Sequence, residues 1–158
     1  MKNRKRGFSL VELLIVLAVI AALIATITPV AMNAIKKSKA TQVAQNLKTL
    51  ASAFENAAYV DNEIKTDKNL KDYGRDVSDS YYIAYTATSG GKYTVWVVTT
   101  EKTDIGIVDD ILKGAFEVSS GGETLSNYRK ITTSNNADPV SVSVAENSIA
   151  YTFTFNLY

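Results

Sequence analysis

The chain contains neither cysteine nor histidine. Without cysteine there is no disulfide framework, no thiolate metal site and no thiol nucleophile. Without histidine the commonest metal ligand and the usual general base are gone. An enzyme built from this chain would have to work with Asp, Glu, Lys, Tyr or Ser alone. No catalytic pair of those stands out, since the acids are scattered over loops and a helix. Neither catalysis nor a cofactor is expected. A basic surplus is missing too. Lys2, Arg4, Lys5 and Arg6 all precede Gly7, and no acid does, so the rest of the chain is mildly acidic although the whole carries +1. That leaves little for a nucleic acid to bind. The nine tyrosines fall mostly on strand positions with no basic cluster around them, so base stacking is not expected either.

What the chain does have begins at its N-terminus. Leu10 to Ala25 is apolar except for Glu12. As a helix, Phe8 to Pro29 spans about 33 Å at ~1.5 Å per residue, which matches a hydrocarbon core of ~30 Å. The positive charges ahead of it place the N-terminus in the cytoplasm. A secretory signal would need an A-x-A site just after the apolar run. The A-x-A found, Ala51-Ser52-Ala53, lies far downstream in a helical pattern. A plain uncleaved anchor leaves two details unexplained.

The first detail is Glu12. A carboxylate within an apolar helix costs about 2.5–3.5 kcal/mol near the bilayer centre and less at its edge. No Lys or Arg lies between Gly7 and Lys36 to pair with it. On the plainer reading Glu12 snorkels to the cytoplasmic interface, with help from Arg6. The sharper reading uses the second detail, the Gly7-Phe8 bond. A cut there gives Phe8 a free ammonium at the depth of Glu12. Within one chain the two are an i, i+4 pair, at the helix end whose dipole favours an anion. Between two chains the same charges set one helix in register with the next.

The run Lys5-Arg6-Gly7-Phe8-Ser9-Leu10-Val11-Glu12-Leu13-Leu14-Ile15-Val16 resembles the class III signal sequence of type IV pilins and their relatives. The shared features are a short basic leader, Gly before the cut, Phe first in the mature chain and Glu four residues later. The match continues through Pro29, which kinks the long helix in that family. The resemblance implies that a prepilin peptidase cuts after Gly7 and methylates the Phe8 nitrogen. It also implies that Glu12 attracts the Phe8 amine of a neighbouring subunit, and that a membrane assembly platform lifts subunits into a helical homopolymer, with minor pilins as further partners. For Pro29 itself the residues allow two readings: a tolerated membrane-helix proline, or a bend or melted stretch that lets the helix yield.

Beyond Lys36, Lys37 and Lys39 the apolar residues recur as Val43, Leu47, Leu50, Phe54 and Ala58, the stripe of an amphipathic helix ending near Asp61-Asn62. Asp61 to Ser80 reads as a connecting loop. Two β-rich runs, 80–88 and 93–99, flank the hairpin turn Ser89-Gly90-Gly91-Lys92. A short helix is expected over 104–113 with Gly114 at its end, and a turn at Gly121-Gly122. A short strand is expected over 128–133. Val140, Val142 and Val144 alternate, as do Ile149, Tyr151, Phe153, Phe155 and Leu157. Alternation predicts one buried face and one wet face. The expected class is α+β: a long N-terminal helix, membrane half then amphipathic half. The stripe Val43, Leu47, Leu50, Phe54 packs on an antiparallel sheet of about four strands, which in the resembled family is the pilin fold.

Asp109-Asp110 and Asn135-Asn136-Ala137-Asp138 offer oxygen ligands for calcium, but the second group reads better as a turn ahead of Pro139, and no metal site is expected. The expected divisions are a leader over 1–7, a transmembrane and polymerisation segment over 8–35, and a head over 36–158. Before assembly the chain would sit in the cytoplasmic membrane as a single-pass protein. It would then enter an extracellular pilus or, on the alternative reading, the periplasmic pseudopilus of a type II secretion system. A membrane-tethered binding module that never polymerises is the reading from another class.

Overall fold

A computed structural model of the chain describes residues 7–75, 77–88, 90–134 and 139–157. Its contacts divide it into two compact units, Met1–Lys36 and Lys37–Tyr158. In chain order the elements are α1 (Leu10–Asp61), α2 (Leu70–Tyr73), β1 (Tyr81–Thr88), β2 (Lys92–Thr99), α3 (Ile105–Ile111), β3 (Ala115–Glu117), β4 (Glu123–Ile131), β5 (Val140–Val144) and β6 (Ile149–Asn156).

In the first unit α1 has no apolar neighbour. Every described residue from Gly7 to Lys36 is exposed, although an 18-residue window here reaches a mean hydropathy of 2.9. A helix that is apolar on all sides needs a lipid or protein environment around it.

In the second unit α1 becomes one-sided. Ala40, Val43, Ala44, Leu47, Leu50, Ala51, Phe54 and Ala58 are buried, at steps that keep them on one face of a 3.6-residue helix. Gln42, Gln45, Lys48 and Ser52 are exposed. The buried stripe shares a core with Tyr81, Ile83 and Tyr85 of β1, Val95 and Val97 of β2, Ile131 of β4, and Ile149 and Phe155 of β6. Phe54 is central. Its ring lies 5.4 Å from Tyr73, 5.4 Å from Tyr85 and 6.3 Å from Phe155. Full burial of a side chain of this size contributes about 1.5–3 kcal/mol. The helix ends where Asn62 adopts φ 53°, a left-handed residue that cannot continue it.

The sheet is antiparallel, as expected, but it has six strands rather than about four, in the order β3-β6-β2-β1-β4-β5. Of the runs read from the sequence none corresponds to β3, and β4 is longer than the run over 128–133. β3 is three residues long, and it pairs with β6 through Ala115↔Tyr151 and Glu117↔Ile149. β4 begins at Glu123, not Tyr128. Its first part pairs with β5, and the register shifts between Leu125 and Tyr128, where Asn127 takes φ 62°. The extra residue of such a bulge breaks the strand's alternation.

The second face of the sheet is not wet throughout. Tyr82, Ala84, Val98 and Ala150 point away from α1 into a second apolar cluster, closed by Val118, Leu125, Val142 and Val144. β1 is therefore buried on both faces from Tyr81 to Tyr85. Lys130 covers the Tyr82 ring, its Nζ 4.1 Å from the centroid, as a cation on an aromatic face does.

The segment read as a loop between α1 and β1 contains α2. Asn69 and Asp72 form a reciprocal capping box, and the Leu70 N–H donates to Thr132 O at 2.8 Å. Leu70 and Tyr73 are buried, so this segment is pinned to the core. At the β1–β2 hairpin Gly91 has φ 75°, and a Cβ there would fall on the Leu157 carbonyl oxygen. Only glycine lets β2 and the end of β6 close so tightly.

Candidate functional site

Glu12 stands in the first turn of α1, inside a wholly exposed apolar run. Its Oε2 accepts a hydrogen bond from the Ser9 N–H at 2.8 Å. The Ser9 Oγ accepts one from the Val11 N–H at 3.3 Å. The Leu13 N–H donates to Ser9 O at 3.2 Å, the first bond of the helix ladder. Ser9 is thus the N-cap, its hydroxyl on the N–H of the second helical residue, and Glu12 is the third helical residue, its carboxylate reaching back to the N-cap N–H. The carboxylate is folded back toward the N-terminus instead of pointing into the apolar zone.

Gly7 and Phe8 lie before the helix, outside its hydrogen-bonded ladder. A Cβ at Gly7 would meet no atom within 4 Å, so nothing in the fold demands glycine there. Phe8 is 80% exposed and lies in no apolar cluster among the described residues. The basic residues Lys2, Arg4, Lys5 and Arg6 fall outside the described residues.

A family model, the prokaryotic N-terminal methylation motif, matches residues 2–28. The chain carries a prepilin-type N-terminus. The motif is that of a pilin- or pseudopilin-type precursor, and the apolar stretch it covers belongs to a transmembrane helix. Comparisons with curated proteins and with solved structures returned no match.

Pro29 lies inside α1, which is helical on both sides of it. Just before it in the prepilin-type segment, Thr26 Oγ1 donates to Leu23 O at 2.9 Å and Thr28 Oγ1 to Ile24 O at 2.7 Å. Such back-bonding hydroxyls share their carbonyls with backbone donors, and Pro29 itself brings no N–H to the ladder. Val43, Leu47, Leu50 and Phe54 lie in the second unit, each at most 1% exposed. They line its core, so the structure brings these four together and places Gly7, Phe8 and Glu12 in the other unit.

The carboxylates weighed for calcium have partners in the chain. Asp109 Oδ1 accepts from the Gly114 N–H at 2.9 Å. Lys113 Nζ lies 3.5 Å from Asp109 and 3.4 Å from Asp110. Asn135, Asn136, Ala137 and Asp138 lie outside the described residues. Among the tyrosines, Tyr73, Tyr81, Tyr82 and Tyr85 are core residues. Burial pushes the phenols of Tyr73 and Tyr82 up to about 12, and Asn46 Nδ2 donates to the Tyr81 hydroxyl at 3.4 Å.

Reading the sequence for charge alone missed Ser9. The signal was available, because Ser9-x-x-Glu12 ahead of an apolar run is a helix-start signature.

Proposed function

We propose that this precursor is a structural subunit of a type IV pilus-like filament. It is cut between Gly7 and Phe8 by a prepilin peptidase and methylated on Phe8. It then assembles through packing of its N-terminal helix. One observation carries the reading: a methylation motif over residues 2–28 coincides with an all-round apolar helix whose acid, Glu12, has no ion pair among the described residues. Cleavage supplies a cation, the Phe8 ammonium. Two opposite charges in low dielectric attract far more strongly than in water, so the pair would set the register between subunits. A contact from one patch to a different patch on the next copy propagates into an open helical polymer. The apolar halves then bury one another, which removes the exposed surface a lone subunit leaves to lipid. Pro29, with Thr26 and Thr28 before it, supplies the place where the helix yields during packing.

The partners that follow are further copies of the chain, minor pilins, the peptidase and a membrane assembly platform. Before assembly the N-terminus lies in the cytoplasm and the head across the membrane. Mass spectrometry of sheared material is expected to give a chain beginning at methylated Phe8. Cells making Glu12→Ala are expected to clip the subunit and lose the filaments. Unaltered filaments from that variant would defeat the charge-pair reading. Micrographs showing only short periplasmic fibres would move the assignment to a secretion pseudopilus.

A further inference from the structure

We propose that Ser9 is a positioning residue for assembly: as N-cap, with its N–H on Glu12 and its hydroxyl on the Val11 N–H, it holds the Glu12 carboxylate beside the nitrogen that cleavage frees on Phe8. This rests on the charge-pair reading above and adds to it the device that aims the acid.

Glu12 has three rotatable side-chain bonds, and every described residue around it in the first unit is exposed. No packing holds its rotamer. The hydrogen bond from Ser9 does, at 2.8 Å. It draws the carboxylate back by three residues of helix rise, about 4.5 Å, to the level of Ser9. Backbone bond lengths put the Phe8 nitrogen within about 4 Å of the Ser9 nitrogen. A carboxylate that grips the Ser9 N–H is therefore already next to the place where an ammonium forms. Only Oε2 is engaged; Oε1 accepts no hydrogen bond among the described residues. A carboxylate offers about four acceptor positions, so an amine from the same chain or the next joins Glu12 without displacing Ser9. The Ser9 Oγ on the Val11 N–H completes the arrangement. It keeps the chain turning out of the helix at Ser9, the geometry that lets the Ser9 N–H face Glu12. In lipid each unpaired backbone donor is more costly than in water, which favours the capped form.

Ser9→Thr, Ser9→Val and Ser9→Ala are compared in the full-length chain, expressed with its peptidase. Threonine and valine share a shape, and only threonine keeps the hydroxyl. Ser9→Thr is expected to match the parent in sheared filament. Ser9→Val and Ser9→Ala are expected to yield roughly fivefold less, the equivalent of one lost cap. All three are expected to show complete clipping at Phe8 and unchanged unfolding of the head. Solution NMR of the clipped subunit in micelles should find one Glu12 rotamer in the parent and Ser9→Thr, and averaged couplings in Ser9→Val. The proposal fails if Val assembles as well as Thr, if the Glu12 couplings do not respond, or if reduced clipping accounts for the missing filament. Normal filaments from Glu12→Ala would remove the charge-pair reading itself, a different failure from a silent Ser9.

Discussion

From Leu10 to Ile35, α1 presents Leu, Ile and Val on every side, and all of them are exposed. From Ala40 to Ala58 the large apolar residues keep to one side, and Val43, Leu47, Leu50 and Phe54 are buried. The two stretches differ in how much apolar surface they carry and in how it is arranged. A stripe needs one partner surface, and the chain's own sheet supplies it. An all-round surface needs partners in every direction, and one chain cannot supply them. The first half is therefore specified for surroundings that its own fold does not supply, while the second is specified for this fold.

The sharpest way to break that comparison is to truncate one side chain in each half. Phe54→Ala is expected to destabilise the head by about 3–5 kcal/mol, through lost transfer energy and the cavity left between Tyr73, Tyr85 and Phe155. Leu17→Ala, made in an exposed stretch, should leave head stability within about 0.5 kcal/mol of the parent. Urea unfolding in micelles reads both, followed by Trp96. That tryptophan is unique in the chain, and it sits in the head with its ring edge-on to Phe116 at 5.4 Å. Equal effects would mean that the halves are not energetically distinct.

Alkaline pH sharpens the same comparison, because the first half of α1 has no tyrosine and the head core has several. Burial raises Tyr73 and Tyr82 to about 12, whereas an unfolded tyrosine ionises near 10. Below pH 10 both states hold these protons, so the contribution is complete. From pH 10 to 12 the unfolded chain releases protons that the fold retains, and stability falls. The loss is about 2–3 kcal/mol per residue by pH 12. Tyr82→Phe keeps the ring under Lys130 and removes the ionisable group. Its unfolding curve should match the parent at pH 8 and lie above it at pH 11.5. A parent that is flat across this range would show that these phenols are wetter than their placement indicates.

The legible parts of the sequence were those whose pattern is long and whose environment is uniform. The steps from Val43 to Ala58 run for several turns against one surface, so they read as a helix face. Tyr93 to Thr99 reads as a strand through its β-branched and aromatic content. Ala115-Phe116-Glu117 is too short to show any period and follows directly on the signal of α3. Glu123 to Asn127 is polar apart from Leu125, because most of its side chains face water, and the bulge at Asn127 then breaks the alternation. The covered second face was hidden for a different reason. Residues at both parities of β1 are apolar or aromatic, and it takes Val142 and Val144 from a distant strand to show what covers the far side. At the candidate site, the spacing of Gly7, Phe8 and Glu12 carried the resemblance, and the matching motif covers it. Ser9 was passed over although Ser9-x-x-Glu12 is a helix-start signature, because Glu12 stands out first as a charge in an apolar run.

The smallest expected effect concerns the other end of α1. Glu12 sits where the helix dipole favours an anion, whereas Asp61 is the last residue of the helix, where the unpaired carbonyls oppose one. Two lysines compensate. Lys68 Nζ lies 2.9 Å and Lys65 Nζ 3.0 Å from the Asp61 oxygens. Their hydrogen bonds, that of Lys68 first, hold the carboxyl below its ordinary value. A depressed acid contributes its stability above the unfolded carboxylate range and loses it as pH falls through the folded value. The head should therefore give up a small margin between pH 5 and pH 3 that Asp61→Asn lacks. That margin should shrink in 1 M salt, because solvent and ions screen surface pairs. Unfolding midpoints of the two chains across that range read it directly. Identical acid limbs would mean that the lysines organise the turn after α1 without stabilising it. The acid at the helix start would then be the one whose charge matters to this chain.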